Sequence, residues 1–433
     1  MKRILTIVIV LSVLWTFFPA FSTPAAAAEA SDEEFFSYLT ERVQGFDESI
    51  DISDYARRNQ WKLKDVSARL QKYYLLEPSL FFINNQRIPI EYNESKYLYI
   101  VKFDYLYSET CVKKMSDEMK KAALKAIEGI TDDMSEAEKA LAVHDYLVLN
   151  NSYDHTMKKY SAYNCLVERS STCQGYTLAY VYIMRDLLGM ECSVVISDSQ
   201  NHSWNYLKVD GLWYHVDLTA DDLTYTTYGG KEYDGFGEVN HKNLLLSDSA
   251  CKKSTDLHRN WKTFDLPDAE STIYDDYFWK DCRSAMSYRN GLWYYVLTDP
   301  DSPGLNYKSG GDNEINAEIR SYNFSSEKSK LIKKIGSVWL VYRNAETGEK
   351  VTKNSWYRRS FTKIAVVGDD LYYHTADKIY RFNLKTGETK RVYTLKKNKM
   401  SIYGIVATSE GKLRVCYKYD LSYSDKYFQL NIS

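Results

Sequence analysis

The spacing of apolar residues changes period several times along the chain. From residue 31 to about 72, apolar positions recur at helical intervals in a polar background, in SDEEFFSYLTERVQGF and WKLKDVSARLQKYY, and predict helices. Residues 80–107 shift to strand-like runs, LFFINN and KYLYIVKFDYLY. MSDEMKKAALKAIEGI (115–130) returns to an amphipathic helix. MSEAEKALAVHDYLVLNN (134–151) follows with Ser135 and Glu138 at capping-box spacing. Leu141, His144 and Val148 share one face there, so His144 reads as a packed helix histidine.

The stretch RSSTCQGYTLAYVYIMRDLLGM (169–190) predicts a central helix. Tyr176, Leu178, Tyr180, Val181, Met184, Leu187 and Leu188 make it apolar on most sides, and Gly189 stops it. Cys173 then lies at the helix mouth. Unpaired N–H groups and the positive end of the helix dipole favour a thiolate there. The plain alternative is a buried structural cysteine. Gly175 would allow a close approach of backbone or substrate.

NHSWNYLKVDGLWYHVDLTADD (201–222) alternates at period two around Asp210-Gly211, a two-residue hairpin signal. That turn sets Val209 opposite Leu212 and Trp204 opposite Asp217. His202, Trp204, Tyr206 and Lys208 then share a face with Trp213, His215, Asp217 and Thr219. The other face, from Leu207 and Val209 to Tyr214 and Val216, is assigned to the core. His202 and Asp217 sit on a diagonal of one face, within side-chain reach. A carboxylate neighbour fixes the tautomer of an imidazole. If the hairpin docks beside the helix mouth, thiol, imidazole and carboxylate form a nucleophilic set. His215 shares the face and is a rival for His202, but it lies two residues from Asp217 on the same strand.

At this point the chain resembles the transglutaminase-like superfamily, through Cys173-Gln-Gly-Tyr176, His202-Ser-Trp-Asn205 and Trp213-Tyr-His-Val-Asp-Leu-Thr219. Flanking pieces resemble it too: VHDYLVLNNSYD, SAYNCLVERSSTCQGY and HKNLLLSD, over residues 80–280. The resemblance implies an α+β, papain-like fold. It implies Cys173 as nucleophile, His202 as general base and acid, and Asp217 as the group orienting His202. It also implies the Cys173 N–H as an oxyanion donor, with Tyr163 as a candidate second donor. Thr172, Ser203 and Ala220 depart from the family pattern, and Ala220 stands where a tryptophan is frequent.

The N-terminus reads as a leader. Lys2 and Arg3 precede an apolar run from Ile4 to Phe21, and Ala26 and Ala28 fit small-residue cleavage after Ala28. This predicts a secreted or cell-surface protein, with an uncleaved anchor as the alternative. The seven cysteines include no C-x-x-C pair, and a metal site built from Cys165, Cys173 and His202 lacks ligand spacing. No cofactor and no metal are expected. The odd cysteine count leaves at least one thiol unpaired. A formal net charge of −2 gives no footprint for nucleic acid.

From about residue 281 helical periodicity gives way to tyrosine-rich strands. NGLWYYV, DDLYYH and EGKLRVCY are similar strand starts, and VYRNAETGEKV (341–351) resembles IYRFNLKTGETKRV (379–392). A period of about 40 residues suggests blade-like hairpins in an open, propeller-related domain, with a β sandwich as the alternative. TDPDSPGLNYKSGGDNE (298–314) reads as a loop insertion. KSKLIKK and KRVYTLKKNK are either solvated faces or contacts for an anionic wall polymer. The expected organisation is a leader (1–28), an N-terminal helical and β extension (29–130), a transglutaminase-like core (131–280) and a β-repeat domain (281–433). The expected function is a secreted thiol enzyme acting on protein or peptide amides, as peptidase or amidase or as transamidase. The alternative is a non-catalytic surface binding or scaffold protein.

Overall fold

Helices and antiparallel sheets alternate in the first two thirds of the chain, and every described element after residue 287 is a strand. The computed structural model describes residues 5–9, 25–84, 88–222, 224, 227–228, 231–232, 237–298, 312–340, 362–396, 400–408, 410–419 and 426–432. The chain is α+β. It divides into two compact units that are not consecutive stretches.

The first unit comprises residues 1–125, 157–208 and 256–268. Helices Ala25–Gln44 and Leu63–Leu76 bury Phe35, Leu39, Val43, Val66 and Leu70. Beside them Ser49–Asp51, Leu98–Lys102 and Ile88–Asn93 pair antiparallel. Leu5–Ile9 adds to the Ile88–Asn93 edge. Most of the expected leader, residues 1–4 and 10–24, lies outside the described residues. Ala28 falls within helix Ala25–Gln44.

The helix at the cysteine runs from Cys173 to Val181 and continues as a wider π turn over Tyr182–Leu187. Gly189 ends it at φ 69°. Strands Cys192–Ser197 and His202–Val209 pair in antiparallel register, with Ser197 opposite His202. Trp261–Lys262 covers the free edge of Cys192–Ser197. The sequence assigns only one face of His202–Val209 to the core. In the structure every residue of that strand except Lys208 is buried, as suits a strand covered on both sides.

The second unit comprises residues 126–156, 209–255 and 269–433. Helix Glu136–Asn150 starts with the reciprocal Ser135–Glu138 capping box. Asp210 and Gly211 both have positive φ, 50° and 81°, the conformation of a type I′ hairpin turn. Strand Leu212–Val216 pairs with Leu244–Leu246. Helices Leu218–Asp221 and Asp248–Ser254 follow these two strands.

The C-terminal strands form three antiparallel meanders. Ser287–Arg289, Leu292–Thr298, Asp312–Asn323 and Lys328–Leu340 make the first. Ile364–Val367, Asp370–His374, Lys378–Asn383 and Thr389–Thr394 make the second. Met400–Ala407, Lys412–Tyr419 and Lys426–Asn431 make the third. Period-two alternation explains their stacking. Leu371 and Tyr373 face Val296, Ile319 and Ile335 of the first meander. Tyr372 faces the opposite way, toward Ile402, Ile405, Leu413 and Val415 of the third. The segment 341–351, one half of the internal repeat, lies outside the described residues, as do residues 299–311 of the expected loop insertion at 298–314.

Candidate functional site

Thr172 caps the thiol helix by backbone alone. Its N–H donates to the Lys159 carbonyl at 2.6 Å, and its carbonyl accepts from the Gly175 and Tyr176 N–H groups. Cys173 is thus the first helical residue, with the N-terminal N–H groups of the helix around it. A Cβ on Gly175 would stand 2.5 Å from the Ser171 Cβ and 2.9 Å from the Ser161 carbonyl. The glycine therefore permits the Ser161 and Ser171 segments to close against the helix mouth.

Cys173 is a free thiol and 8% exposed. Burial pushes its pKa up, but the hydrogen bond and charge of His202, joined by hydrogen bonds from Ser203, outweigh that and leave it below the ordinary thiol value. The strand bearing His202 is fastened to the thiol helix by side chains. Asn205 Nδ2 donates to the Thr177 carbonyl at 3.0 Å, and the Ser203 and Thr177 hydroxyls lie 3.4 Å apart. Thr177 itself donates to the Cys173 carbonyl at 2.8 Å. The docking of strand on helix, left open by the pattern, is thus present in this unit.

His202 is 5% exposed. Its ring stacks on Trp204 at 5.5 Å and on His258 at 6.0 Å. Trp204 also meets His258 at 4.6 Å and Trp261 edge-on at 6.0 Å. The sequence pattern does not single out His258, because an isolated DLHRN carries no motif. Its proximity depends on the short strand Trp261–Lys262 folding back on Cys192–Ser197.

Asp217 lies in the second unit, 1% exposed, just after strand Leu212–Val216. Its Oδ1 accepts the Ala220 N–H at 3.0 Å and so caps helix Leu218–Asp221. The rival, His215, is committed elsewhere. Its Nε2 lies 2.8 Å from Asp248 Oδ1. Burial raises the Asp248 pKa, but His215 more than offsets it and holds the carboxyl below its usual value. Tyr163 donates its hydroxyl to Glu118 at 2.8 Å, so that proton is engaged away from an oxyanion. His144 is fully buried, as its helix face suggests.

Residues 121–218 match the family model described as the transglutaminase-like superfamily. That span includes Cys173, His202 and Asp217 and is shorter than the 80–280 read from the motifs. A solved structure described as that of a TGase is similar at 14% identity, covering 38% of this chain and 50% of that chain with a TM-score of 0.22. The extracellular domain of a putative hybrid two component system from B. thetaiotaomicron is similar at 12% identity, covering 56% of this chain and 32% of that chain with a TM-score of 0.20. The chain therefore spans half the length of the first and about a third of the second. No curated protein matches the chain.

Proposed function

Taking the transglutaminase-like domain at residues 121–218 as premise, we propose that the protein is an exported thiol enzyme acting on amide groups of proteins or peptides. One observation carries the reading: a buried thiol at a helix N-terminus, hydrogen-bonded to His202 and more acidic than an ordinary thiol.

In the proposed reaction the Cys173 thiolate attacks the amide carbonyl carbon. The Cys173 N–H, at the first helical position, donates to the developing oxyanion. His202, carrying the proton taken from the thiol, gives it to the departing amine as the C–N bond breaks. The thioester is then resolved by water or by a second amine, with His202 accepting the proton of the attacking group. Water makes the enzyme a peptidase or amidase, and a lysine amine makes it a cross-linking transamidase. Asp217 is proposed to orient His202, on the register that follows from the Asp210-Gly211 turn. The three stacked meanders are read as blades of an open, propeller-related module. Its basic stretch at 328–334 is a proposed contact for an anionic cell-surface polymer.

Iodoacetamide at mildly acidic pH tests the thiol. Cys173 must label much faster than Cys111, the exposed thiol. Equal labelling would sink the enzyme reading and favour a non-catalytic scaffold. Incorporation of a fluorescent amine into casein, against casein fragmentation, separates transfer from hydrolysis. Sequencing the N-terminus of the exported chain tests cleavage after Ala28.

A further inference from the structure

A second polar centre lies in the other unit. His144 and Asp145 are neighbours on helix Glu136–Asn150, and His241 comes from the segment before strand Leu244–Leu246. Asp145 Oδ1 is 3.0 Å from His144 Nδ1 and 2.8 Å from His241 Nε2. One ligand atom from each residue falls within 4.8 Å of the others, and no residue of the three is more than 5% exposed.

The far side of each residue is held. His144 Nε2 lies 3.1 Å from Asp221 Oδ2, and His241 Nδ1 lies 3.2 Å from the Cys282 carbonyl. Asp145 Oδ2 accepts the Met286 N–H at 2.7 Å. Asp221 is itself fixed by the Asn243 N–H and by Asn243 Nδ2 at 2.9 Å. An imidazole whose outer nitrogen donates to a carboxylate or a backbone carbonyl presents the lone pair of its inner nitrogen. Both histidines have that arrangement, and both inner nitrogens converge on one carboxylate oxygen.

We propose that His144 Nδ1, His241 Nε2 and the Asp145 carboxylate bind one zinc ion with a structural role. Two imidazoles and one carboxylate suit zinc better than calcium or magnesium, which take oxygen ligands. At metal–ligand distances of about 2.0–2.1 Å, tetrahedral neighbours stand roughly 3.3 Å apart. The two spacings to Asp145 Oδ1, 3.0 and 2.8 Å, need to open by only a few tenths of an ångström. Full burial leaves no route for a substrate, so the ion braces helix Glu136–Asn150 against the segments carrying His241, Cys282 and Met286.

The test uses the full chain in a Cys173→Ala/His202→Ala background, which removes the thiol site as a competing ligand set. After treatment with dipicolinate, zinc chloride is titrated by calorimetry and cobalt chloride by visible absorption. The expected result is one ion per chain, a higher Tm with zinc, and cobalt d–d bands without a sulfur-to-cobalt charge-transfer band. His241→Gln is expected to weaken binding by at least about 100-fold, and Asp221→Asn by about 10- to 100-fold. Loss of folding in His241→Gln would not rescue the idea, because the parent chain decides it. No stoichiometric binding there, or a sulfur charge-transfer band, overturns the proposal.

Discussion

Cys173 is held between opposing influences, and each has its own test. Burial disfavours its charged form, and His202 with Ser203 favours it by more. Removing His202 leaves burial opposed only by the Ser203 hydrogen bonds, so the thiol pKa must rise. In His202→Ala, alkylation of Cys173 at mildly acidic pH should disappear and return only at alkaline pH, which a pH–rate profile followed by mass spectrometry will show. The wild-type profile should instead extend below the ordinary thiol range near about 8.5. Cys173→Ala should lower acyl transfer by about 10³-fold or more with an unchanged circular dichroism spectrum. At this scale much was legible: Cys173 and His202 lie in compact local motifs, and their partnership needed one docking event. The network around His144 was not. Asp221 and His241 are distant in sequence from the His144-Asp145 pair and share no spacing rule with it, so only the folded chain brings them together. The His215–Asp248 pair was hidden for the same reason.

The junction between the thiol helix and the His202 strand rests on small contacts. Asn205 reaches the Thr177 carbonyl, and Gly175 leaves room for Ser171. Asn205→Leu keeps the bulk but removes the donor, at a cost of about 1–2 kcal/mol by chemical denaturation. Activity should fall by more than stability alone explains, because the same bond sets the distance of His202 from the thiol. Gly175→Ala forces a Cβ into a 2.5 Å contact and should cost about 1–3 kcal/mol. Gly129→Ala, which meets nothing within 4 Å, should stay within about 0.5 kcal/mol of wild type. Equal effects at the two glycines would show that the helix mouth is not closely packed. Element types were readable where a cap or turn residue marked them, as at Ser135, Gly189 and Asp210-Gly211. The two-sided burial of His202–Val209 was not, because the face of His202, Trp204 and Tyr206 is covered by His258, Trp261 and Pro267, a segment that carries no motif.

In the whole molecule, the all-β third is not an independent appendage. Its unit also contains residues 126–156 and 209–255, and polar bonds cross position 281 repeatedly. Trp293 Nε1 donates to Glu138 at 2.9 Å, and the Met286 N–H donates to Asp145 at 2.7 Å. Lys363 Nζ meets Glu238 at 3.0 Å with both side chains only 2% exposed. The change from helical to strand periodicity near 281 was visible in the sequence. Contacts across that change were not, since a lone Trp293 on a strand, or Lys363 just before one, reads as an ordinary core or surface residue. The Lys363–Glu238 pair offers the sharpest test of the weld. Replacing one partner strands a charge in the interior, so Lys363→Met should destabilise the unit by about 3–5 kcal/mol. Removing both charges, Lys363→Met with Glu238→Gln, should recover most of that loss. Additive losses in the double variant would mean that neither charge depends on the other. The two segments would then owe their association to apolar packing alone.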